Sequence, residues 1–280
     1  PMLYIETPEC ILCALESRTQ ELKRLGVNDV NAYSRIIMHI SNLVPRGRTP
    51  LFIESFDLIT RMLGNEDPHA SEKRELEDTA SLVISRIIND AGNDITKYLE
   101  IAAAANSVDV PMRDYQFDIN DFVDKLLEDA VWINTSRGEI SKVLNSVRDV
   151  GYVVDNSGEF QVDALLIKRL TDMGIRVTVY ARGMPYEVDV TADYVSKVLG
   201  NGVRVVSTGN RYPAFYNRGL WNDLGRHELV ISKGVGNFEA YLESGLKLNV
   251  LFLFRAKCGP MIRLLKVPKN SPVIYLRNDK

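Results

Sequence analysis

The first half of the chain carries its hydrophobic residues at helical spacing. Apolar residues recur three or four positions apart, which places them on one face of an amphipathic helix. Glycine and proline interrupt the pattern between segments, for example at Gly64 and Pro111. The pattern predicts helices at 11–25, 31–43, 51–63, 74–91, 95–105, 119–129 and 139–147.

The pattern changes near Val150, where short apolar runs of strand length begin to alternate with helical segments. This alternation is typical of βαβ units and predicts a mainly parallel sheet. We expect strands at 152–154, 176–181, 203–208, 228–232, 249–254 and 273–276, and helices at 162–173, 191–199 and 238–244.

Together the two patterns predict an α/β protein. A helical N-terminal region, 1–148, is expected to pack on a Rossmann-like, three-layer α/β/α sheet domain, 149–280. No long flexible linker separates the two regions, so we expect them to pack as one unit. A chain of 280 residues can bury a sizeable core without disulfides or metals.

Composition excludes several classes of protein. The net charge of −3 gives no electrostatic basis for binding nucleic acid or an anionic membrane. No apolar run approaches the roughly 18 residues of a membrane span, and the first residues lack the features of a signal peptide. Three cysteines, an odd number, favour a reducing cytosol over a disulfide framework. The oligomeric state is not predicted.

Glycines and charged residues recur directly after the predicted strands. In an open parallel sheet, these strand ends form the crevice in which ligands bind. The turns contain Asp155-Asn156-Ser157-Gly158-Glu159, Arg182-Gly183 followed by Asp189, Lys233-Gly234-Val235-Gly236-Asn237, and Lys257-Cys258. We therefore expect these side chains to face one crevice.

The residue types at these turns suit a hard cation that faces a phosphate. Asp155, Asn156 and Asp189 offer oxygen ligands, which Mg²⁺ and Mn²⁺ prefer. Lys233 is expected to be a mobile point charge near a phosphoryl oxygen. The backbone N–H groups of 234–237 precede a helix expected to start near Phe238, and such a helix start suits an anion.

Each turn alone has a structural explanation. Asp155-Asn156-Ser157-Gly158 is more often a turn or a cap, and Asp189-Val190-Thr191 is more often a helix cap. Gly-x-Gly beside lysine is a weak signal. The functional interpretation therefore depends on the occurrence of all three at successive strand ends.

These stretches resemble the damage-control phosphatase family, first catalogued as a domain of unknown function (number 89), and in particular its stand-alone archaeal-type members. The resemblance covers most of the chain. Besides the turns above, the matching stretches are Gly183-Met184-Pro185, Asp189-Val190-Thr191, Lys233 through Glu239, Cys10-Ile11-Leu12-Cys13, Gly64-Asn65-Glu66-Asp67-Pro68, Asn106-Ser107-Val108-Asp109 and Lys257-Cys258. One departure is Val188, which stands where the family usually has asparagine before the later aspartate.

The resemblance implies a metal-dependent phosphatase that hydrolyses phosphate monoesters of small metabolites, such as sugar phosphates, phosphopantetheine-like compounds or damaged metabolites. It implies that Asp155, Asn156 and Asp189 hold one divalent metal (Mg²⁺, Mn²⁺, Co²⁺ or Ni²⁺) and that Lys233 lies on the phosphate side. Further candidate contacts to the phosphate or substrate are Gly234, Gly236, Asn237, Glu159, Arg182, Asn106 and Asp109. Of these, Asn106 and Asp109 are expected either to close over the substrate or to cap a helix.

One carboxylate must orient or deprotonate the attacking water. Asp155 or Asp189 is preferred for this role over Glu159. A covalent aspartyl-phosphate on Asp155 is the alternative, but a carboxylate that holds a metal is less free to attack.

The cysteines admit two interpretations. Cys10, Cys13 and Cys258 are either separate small thiols or a cluster, with or without a metal, and no histidine spacing selects a fourth zinc ligand. The family resemblance implies that the three lie close together.

Two other functions stay open. An S-adenosylmethionine-dependent carboxyl methyltransferase would need a glycine-rich turn where Asp155-Asn156 stands. A non-catalytic protein that binds a metal or a phosphorylated metabolite would need the same site residues. The loop 210–219 interleaves aromatic residues with arginines, which suits either a phosphorylated ligand or loop packing.

Overall fold

The first half of the chain is mainly helical, as its hydrophobic spacing predicts. A computed structural model describes residues 7–106 and 119–280. The helices begin and end within a few residues of the predicted ranges. They are α1 (Pro8–Arg24), α2 (Val30–Leu43), α3 (Arg48–Leu63), α4 (Ala70–Ala91), α5 (Ile95–Ala105), α6 (Ile119–Leu126) and α7 (Arg137–Ser146).

A short strand lies inside the region that was predicted to be helical. Strand β1 (Val131–Ile133) pairs with the last strand of the chain, and Val131 faces Val273 in the register. Three residues are too few to show a periodic pattern. The strand lies between the predicted helices 119–129 and 139–147, in a stretch for which the pattern predicts no element.

The second half supplies the rest of a seven-stranded sheet. Its strands are β2 (Asp149–Val153), β3 (Arg176–Ala181), β4 (Arg204–Ser207), β5 (Leu229–Lys233), β6 (Asn249–Arg255) and β7 (Pro272–Asn278). The strand order is β1-β7-β6-β5-β2-β3-β4, and every pair is parallel except β6 with β7. The predicted α/β fold with a mainly parallel sheet is confirmed.

Helices cover both faces of the sheet. Those of the second half are α8 (Glu159–Asp172), α9 (Ala192–Leu199), α10 (Trp221–Leu224), α11 (Val235–Ser244) and α12 (Gly259–Leu265). One core contains Leu99, Leu166 and Ile231, and the opposite core contains Phe238 and Phe252. The sheet is thus the middle of three layers. Among the described residues, no helix is both long and apolar enough to cross a membrane.

The hydrophobic core continues across the predicted boundary at position 148. Val83 and Leu99, from α4 and α5, belong to the same cluster as Val150 and Leu166. A separate cluster fills the space between α1, α2 and α3, where Leu22, Ile36 and Leu51 are buried. The two regions are therefore packed together, and their division at 148 stays a prediction.

The strand order places a crevice between β2 and β5. The chain continues from β2 to β3 on one side, whereas β5 and β6 lie on the other side. Ligands in open α/β sheets bind beyond the carboxyl ends of the strands at such a switch point. Asp155 follows β2 and Gly234 follows β5, so both lie at this point.

A buried charged cluster connects the helical layer to the sheet. The guanidinium group of Arg18 on α1 donates to Glu21 at 2.9 Å and to Glu187 at 2.7 Å, and its side chain is 1% exposed. His69 contacts Glu21 at 2.5 Å and Glu72 at 2.9 Å. Because Glu187 lies two residues before Asp189, the cluster also holds the turn that carries Asp189.

His69 is expected to make stability depend on pH. Burial alone would lower the pKa of His69, but the hydrogen bonds with Glu21 and Glu72 raise it to about 9. The folded pKa lies above the unfolded value of about 6.5, so this stabilisation is complete below about pH 6.5 and is lost as pH rises through 9. The free energy involved is on the order of 3 kcal/mol.

Urea unfolding of the wild type and of His69→Gln between pH 6 and 10 would measure this effect. We expect the difference in unfolding free energy between the two proteins to shrink as pH rises. A difference that is constant with pH would show that His69 is not charged in the folded protein.

Candidate active site

A cavity of about 570 Å³ opens beyond the carboxyl ends of the strands. Most of the predicted site residues line it, although they come from distant parts of the chain. These are Cys10, Cys13, Asn106, Asp155, Asn156, Arg182, Asp189, Gly236 and Cys258. The prediction that these strand ends face one crevice is therefore confirmed for Asp155, Asp189 and Gly236.

Asp155 is held in a narrow space between two elements. Its Oδ2 atom accepts hydrogen bonds from Asn106 Nδ2 at 2.9 Å and from Asn156 Nδ2 at 3.3 Å. On the other side, a Cβ atom at Gly234 would lie only 1.9 Å from Asp155 Oδ2. Gly234 also has a φ of +83°, which side chains rarely adopt. Only glycine fits at this position.

Backbone pairing brings Asp189 beside Asp155. An isolated antiparallel bridge joins Asn156 to Asp189. In the same contact, the Ser157 N–H donates to the carbonyl of Val188 at 2.8 Å, and the Val190 N–H donates to the carbonyl of Asp155 at 3.0 Å. The backbone of Val188 thus fixes the turn without the side chain that the family usually has there.

Arg182 fixes the second carboxylate. Its Nε atom donates to Asp189 Oδ2 at 2.5 Å, and its guanidinium group lies over the ring of Tyr186 with 4.4 Å to the centroid. A second nitrogen of Arg182 donates to the carbonyl of Arg211. Arg182 therefore positions Asp189, and most of its charge is committed to that carboxylate.

Asp155, Asp189 and Glu159 lie close together, so their carboxylates carry an excess of negative charge. Burial, Asp189 and Glu159 together raise the pKa of Asp155 well above its usual range. Burial also raises the pKa of Asp189, although Arg182 opposes the rise. A positive ion between the two carboxylates would relieve this repulsion.

The donor set fits a hard divalent cation. The side-chain hydrogen bonds from Asn106, Asn156 and Arg182 go to the Oδ2 atoms of Asp155 and Asp189, and both residues line the cavity. Two carboxylates and the amide of Asn156 are the oxygen ligands that Mg²⁺ and Mn²⁺ prefer. Within residues 7–106 and 119–280, no three His, Cys, Asp or Glu side chains form a metal-binding group. The site therefore depends on Asn156 as the third donor.

Lys233 is not a mobile side chain at the cavity. It is completely buried, and its Nζ atom contacts Asp163 at 2.8 Å and Glu159 at 3.3 Å. Asp163 also accepts a hydrogen bond from Tyr152 at 2.5 Å. The expected mobility of Lys233 is wrong, because two buried carboxylates hold the ammonium group, and its contact with a phosphoryl oxygen stays a prediction.

Glu159 lies behind the cavity rather than in its wall. Its carboxylate accepts from Asn106 Nδ2 at 2.9 Å and from Lys233 Nζ at 3.3 Å. Burial raises the pKa of Glu159 to about 7, and Lys233 opposes that rise. Asn106 connects Glu159 with Asp155. Asp109, the other candidate from this stretch, lies outside the described residues.

The start of α11 differs from the prediction. The helix begins at Val235 rather than near Phe238, because Gly234 takes a conformation that ends the strand. The Gly234 N–H donates to the carbonyl of Leu253, and the Asn237 side chain donates to the carbonyls of Val154 and Lys233. These groups therefore hold the structure together, whereas Val235 and Gly236, which belong to the first turn of α11, line the cavity.

The three cysteines line the same cavity as Asp155. Cys10 is buried, Cys258 is half-buried and Cys13 is exposed, and all three are free thiols. Burial raises the pKa of Cys10 and of Cys258, which keeps both thiols protonated at neutral pH. Their predicted proximity fits this arrangement, but the described residues offer no metal-binding group there.

The loop 210–219 is mainly a packing element. Arg211 pairs with Asp57, and the Tyr212 hydroxyl donates to Glu54 at 2.6 Å. Phe215 is completely buried in the core. Pro213 is the residue of this loop that lines the cavity. Arg211 and Tyr212 join the loop to α3, and Phe215 packs against Tyr241 of α11.

Sequence reasoning missed Glu77, a residue of α4 that holds the Asp155 turn. Its Oε1 atom accepts from the Gly158 N–H at 2.8 Å, and its other oxygen accepts from the side chain of Gln161. Gly158 is the N-cap of α8 and has no side chain of its own for this purpose. The cap thus comes from a residue 81 positions away, which no local pattern could indicate.

Glu77→Ala is expected to weaken both stability and the affinity for a divalent cation. The loss would leave the buried Gly158 N–H without an acceptor, at a cost of about 1–3 kcal/mol. Because the Asp155 turn would loosen, we expect about a tenfold lower affinity for Mn²⁺. Urea unfolding and Mn²⁺ titration would measure the two effects.

Two variants serve as controls for Glu77. Glu77→Gln keeps an acceptor oxygen, so it should lose less stability and less Mn²⁺ affinity than Glu77→Ala. Glu75→Ala changes an exposed glutamate of the same helix, and it should keep the stability and the Mn²⁺ affinity of the wild type. Reduced stability with unchanged Mn²⁺ affinity in Glu77→Ala would show that the turn does not depend on this contact.

Known proteins match this chain over most of its length. A model of the damage-control phosphatase ARMT1-like domain family matches residues 7–273. A damage-control phosphatase of Pyrococcus horikoshii is 26% identical, over 96% of this chain and 97% of that protein. A damage-control phosphatase of Archaeoglobus fulgidus is 25% identical over 73% of this chain and 74% of its own length.

A solved structure shows the same fold. The crystal structure of a protein of the domain-of-unknown-function-89 family from Pyrococcus horikoshii superposes with a TM-score of 0.80. It covers 98% of this chain and 99% of its own length at 24% identity. This likeness covers both the helical layer and the sheet, and it supports the way in which they pack together.

Proposed function

Because the chain belongs to the damage-control phosphatase ARMT1-like family, as its motifs predict, we propose that it removes phosphate from small phosphorylated metabolites with the help of a divalent cation. One observation carries the proposal. Asp155, Asn156 and Asp189 converge on a cavity that also receives the first turn of α11. Carboxylates beside a helix start can serve a cation and a phosphate at once.

We assign the cation to Asp155, Asn156 and Asp189. When bound, a divalent cation supplies positive charge to the phosphoryl group and activates water at neutral pH. The protein prepares this position in advance, since Asn106 fixes Asp155 at 2.9 Å and Arg182 fixes Asp189 at 2.5 Å. Mg²⁺, Mn²⁺, Co²⁺ and Ni²⁺ are the candidate ions.

The phosphate is assigned to the start of α11. The N–H groups of Val235 and Gly236 belong to the first turn, where no helical carbonyl is available to them, and both residues line the cavity. These donors and the positive end of the helix would stabilise the phosphoryl oxygens. Lys233, whose ammonium group is paired with Glu159 and Asp163, holds Glu159 in place behind the cavity.

We assign the task of orienting or deprotonating the attacking water to a carboxylate of the cavity. Asp155 and Asp189 line the cavity, whereas Glu159 lies behind Asn106. Asp155 or Asp189 is therefore preferred for orienting or deprotonating the water. Attack by water is preferred to a covalent aspartyl-phosphate, because the same carboxylate also holds the cation.

A panel of phosphate monoesters tests the proposal. The purified protein would be treated with a chelator and then assayed for phosphate release with and without each of the four cations. Cation-dependent release supports the phosphatase. Saturable binding of the esters without release would support a binding protein, and methyl transfer from labelled S-adenosylmethionine would support the methyltransferase.

A further inference from the structure

The turn that ends at Asp189 has an uncommon backbone conformation. The Asp189 N–H donates to the carbonyl of Tyr186 at 2.9 Å, which closes a four-residue β-turn over 186–189. The first central residue of this turn, Glu187, has a φ of +44°. Residues other than glycine rarely adopt a positive φ, because their Cβ atom crowds the backbone. The turn is therefore strained at Glu187.

This turn belongs to the proposed cation site. All four of its residues line the cavity. The carbonyl of Val188 accepts from the Ser157 N–H at 2.8 Å, and the Val190 N–H donates to the carbonyl of Asp155 at 3.0 Å. A change in the conformation of the turn would therefore move Asp189 relative to Asp155.

Arg18 of α1 holds the side chain of Glu187. Its guanidinium group donates to Glu187 Oε1 at 2.7 Å. The Glu187 side chain is 37% exposed, so the pair with the buried Arg18 connects it to the helical layer. Arg18 is itself fixed, because its other N–H groups donate to the side chains of Glu21 and Ser55 and to the carbonyl of Phe52. It cannot follow Glu187 if the turn relaxes.

Tyr186 connects the same arginine to the other support of Asp189. Arg18 donates to the Tyr186 hydroxyl at 3.2 Å. On the ring of Tyr186 lies the guanidinium group of Arg182, which donates to Asp189 Oδ2 at 2.5 Å. The first two residues of the turn are thus both held from α1.

We propose that Glu187 is a positioning residue, whose ion pair with Arg18 keeps the turn in its strained conformation and so places Asp189 beside Asp155 for the cation. This inference rests on the cation site of the proposed phosphatase. Glu187 acts through the backbone of the turn, and no contact with the cation or the phosphate is assigned to it.

Alanine and glycine at position 187 distinguish the backbone effect from the loss of charge. Both variants lose the carboxylate and its ion pair, but glycine adopts a positive φ without the steric cost that alanine has. We therefore expect Glu187→Ala to bind Mn²⁺ about tenfold more weakly than Glu187→Gly, which should stay closer to the wild type. Electron paramagnetic resonance of the chelated proteins, titrated with Mn²⁺, would measure the affinities.

Further variants separate positioning from general damage. Glu187→Gln keeps the side-chain length and an acceptor for Arg18, so its Mn²⁺ affinity should lie between those of Glu187→Ala and the wild type. Lys266 also has a positive φ, of +54°, but it is exposed and does not line the cavity. Lys266→Ala and Lys266→Gly should keep the Mn²⁺ affinity of the wild type. Urea unfolding would confirm that each variant is folded.

Equal Mn²⁺ affinities of Glu187→Ala and Glu187→Gly would overturn the inference, as would an unchanged affinity in Glu187→Ala, while the cation site itself stands. If the wild type binds Mn²⁺ but releases phosphate from no ester, the phosphatase proposal fails, and the two affinities still decide this inference. A wild type that binds no Mn²⁺ would overturn the cation assignment and this inference together.

Discussion

Replacing Asp155 by alanine is expected to reduce cation-dependent phosphate release about a thousandfold. The change removes a proposed cation ligand and the acceptor of the Asn106 hydrogen bond at the same time. It also leaves Asp189 as the remaining carboxylate ligand of the proposed site. Initial rates of phosphate release at saturating Mn²⁺ or Mg²⁺, measured over a range of ester concentrations, would give the loss in kcat and KM separately.

The matched control for this variant is Asp193→Ala. Asp193 is an exposed aspartate in the first turn of α9, close in the sequence to Asp189 but away from the cavity. We expect this variant to keep the activity of the wild type. Near-normal turnover in Asp155→Ala would remove the basis for assigning the cation to this turn.

Gly234→Ala is expected to reduce activity about a hundredfold without changing any charged residue. The added Cβ atom would lie 1.9 Å from Asp155 Oδ2, so the carboxylate or the strand end must move. A misplacement of about 1 Å in an active site can cost about 100-fold in rate. Phosphate release and Mn²⁺ affinity, measured on the folded variant, would both decrease.

A second glycine separates this steric effect from backbone strain. Gly174 has a φ of +82°, almost equal to the +83° of Gly234, but a Cβ atom there would meet nothing within 4 Å. Alanine at Gly174 costs roughly 1–2 kcal/mol for the positive φ, and alanine at Gly234, where ψ is 154°, enters a region that almost only glycine adopts and costs about 1–3 kcal/mol. We expect Gly174→Ala to lose stability and keep its activity. Equal activity losses in both variants would show that strain, and not the contact with Asp155, is responsible.

The proximity of the Asp155 and Asp189 turns could be predicted from the sequence because their signals are local. Asp155-Asn156 and Asp189 each follow an apolar run of strand length, and parallel strands bring such ends to one edge of a sheet. The structure adds the bridge between Asn156 and Asp189, which puts the two turns in contact. Strand periodicity and turn composition were sufficient to predict that these turns meet, whereas their binding of a cation stays a prediction.

The environment of Lys233 could not be predicted in the same way. A lysine between a strand and a glycine-rich turn suggests an exposed charge, yet Lys233 is buried against Asp163 and Glu159. Its partners lie on α8, about 70 residues earlier in the chain. Burial of a charged residue depends on such distant partners, and a linear pattern does not contain them.

Contacts from the helical layer are the other feature that sequence patterns do not reveal. Glu77 caps the Asp155 turn, Arg18 holds the Asp189 turn through Glu187, and Arg48 reaches the cavity beside Glu239. Each residue fits an ordinary amphipathic helix when it is considered alone. Their roles follow from the packing of the helices against the carboxyl edge of the sheet.

Mn²⁺ binding, measured by electron paramagnetic resonance after exhaustive chelation, tests the central claim most directly. We predict that the wild type binds Mn²⁺ at one site, that phosphate release returns in proportion to the bound ion, and that Asp155→Ala and Asp189→Ala lose both. Full phosphate release by the chelated wild type, or undiminished Mn²⁺ binding by both variants, would contradict the assignment of a catalytic cation to Asp155, Asn156 and Asp189.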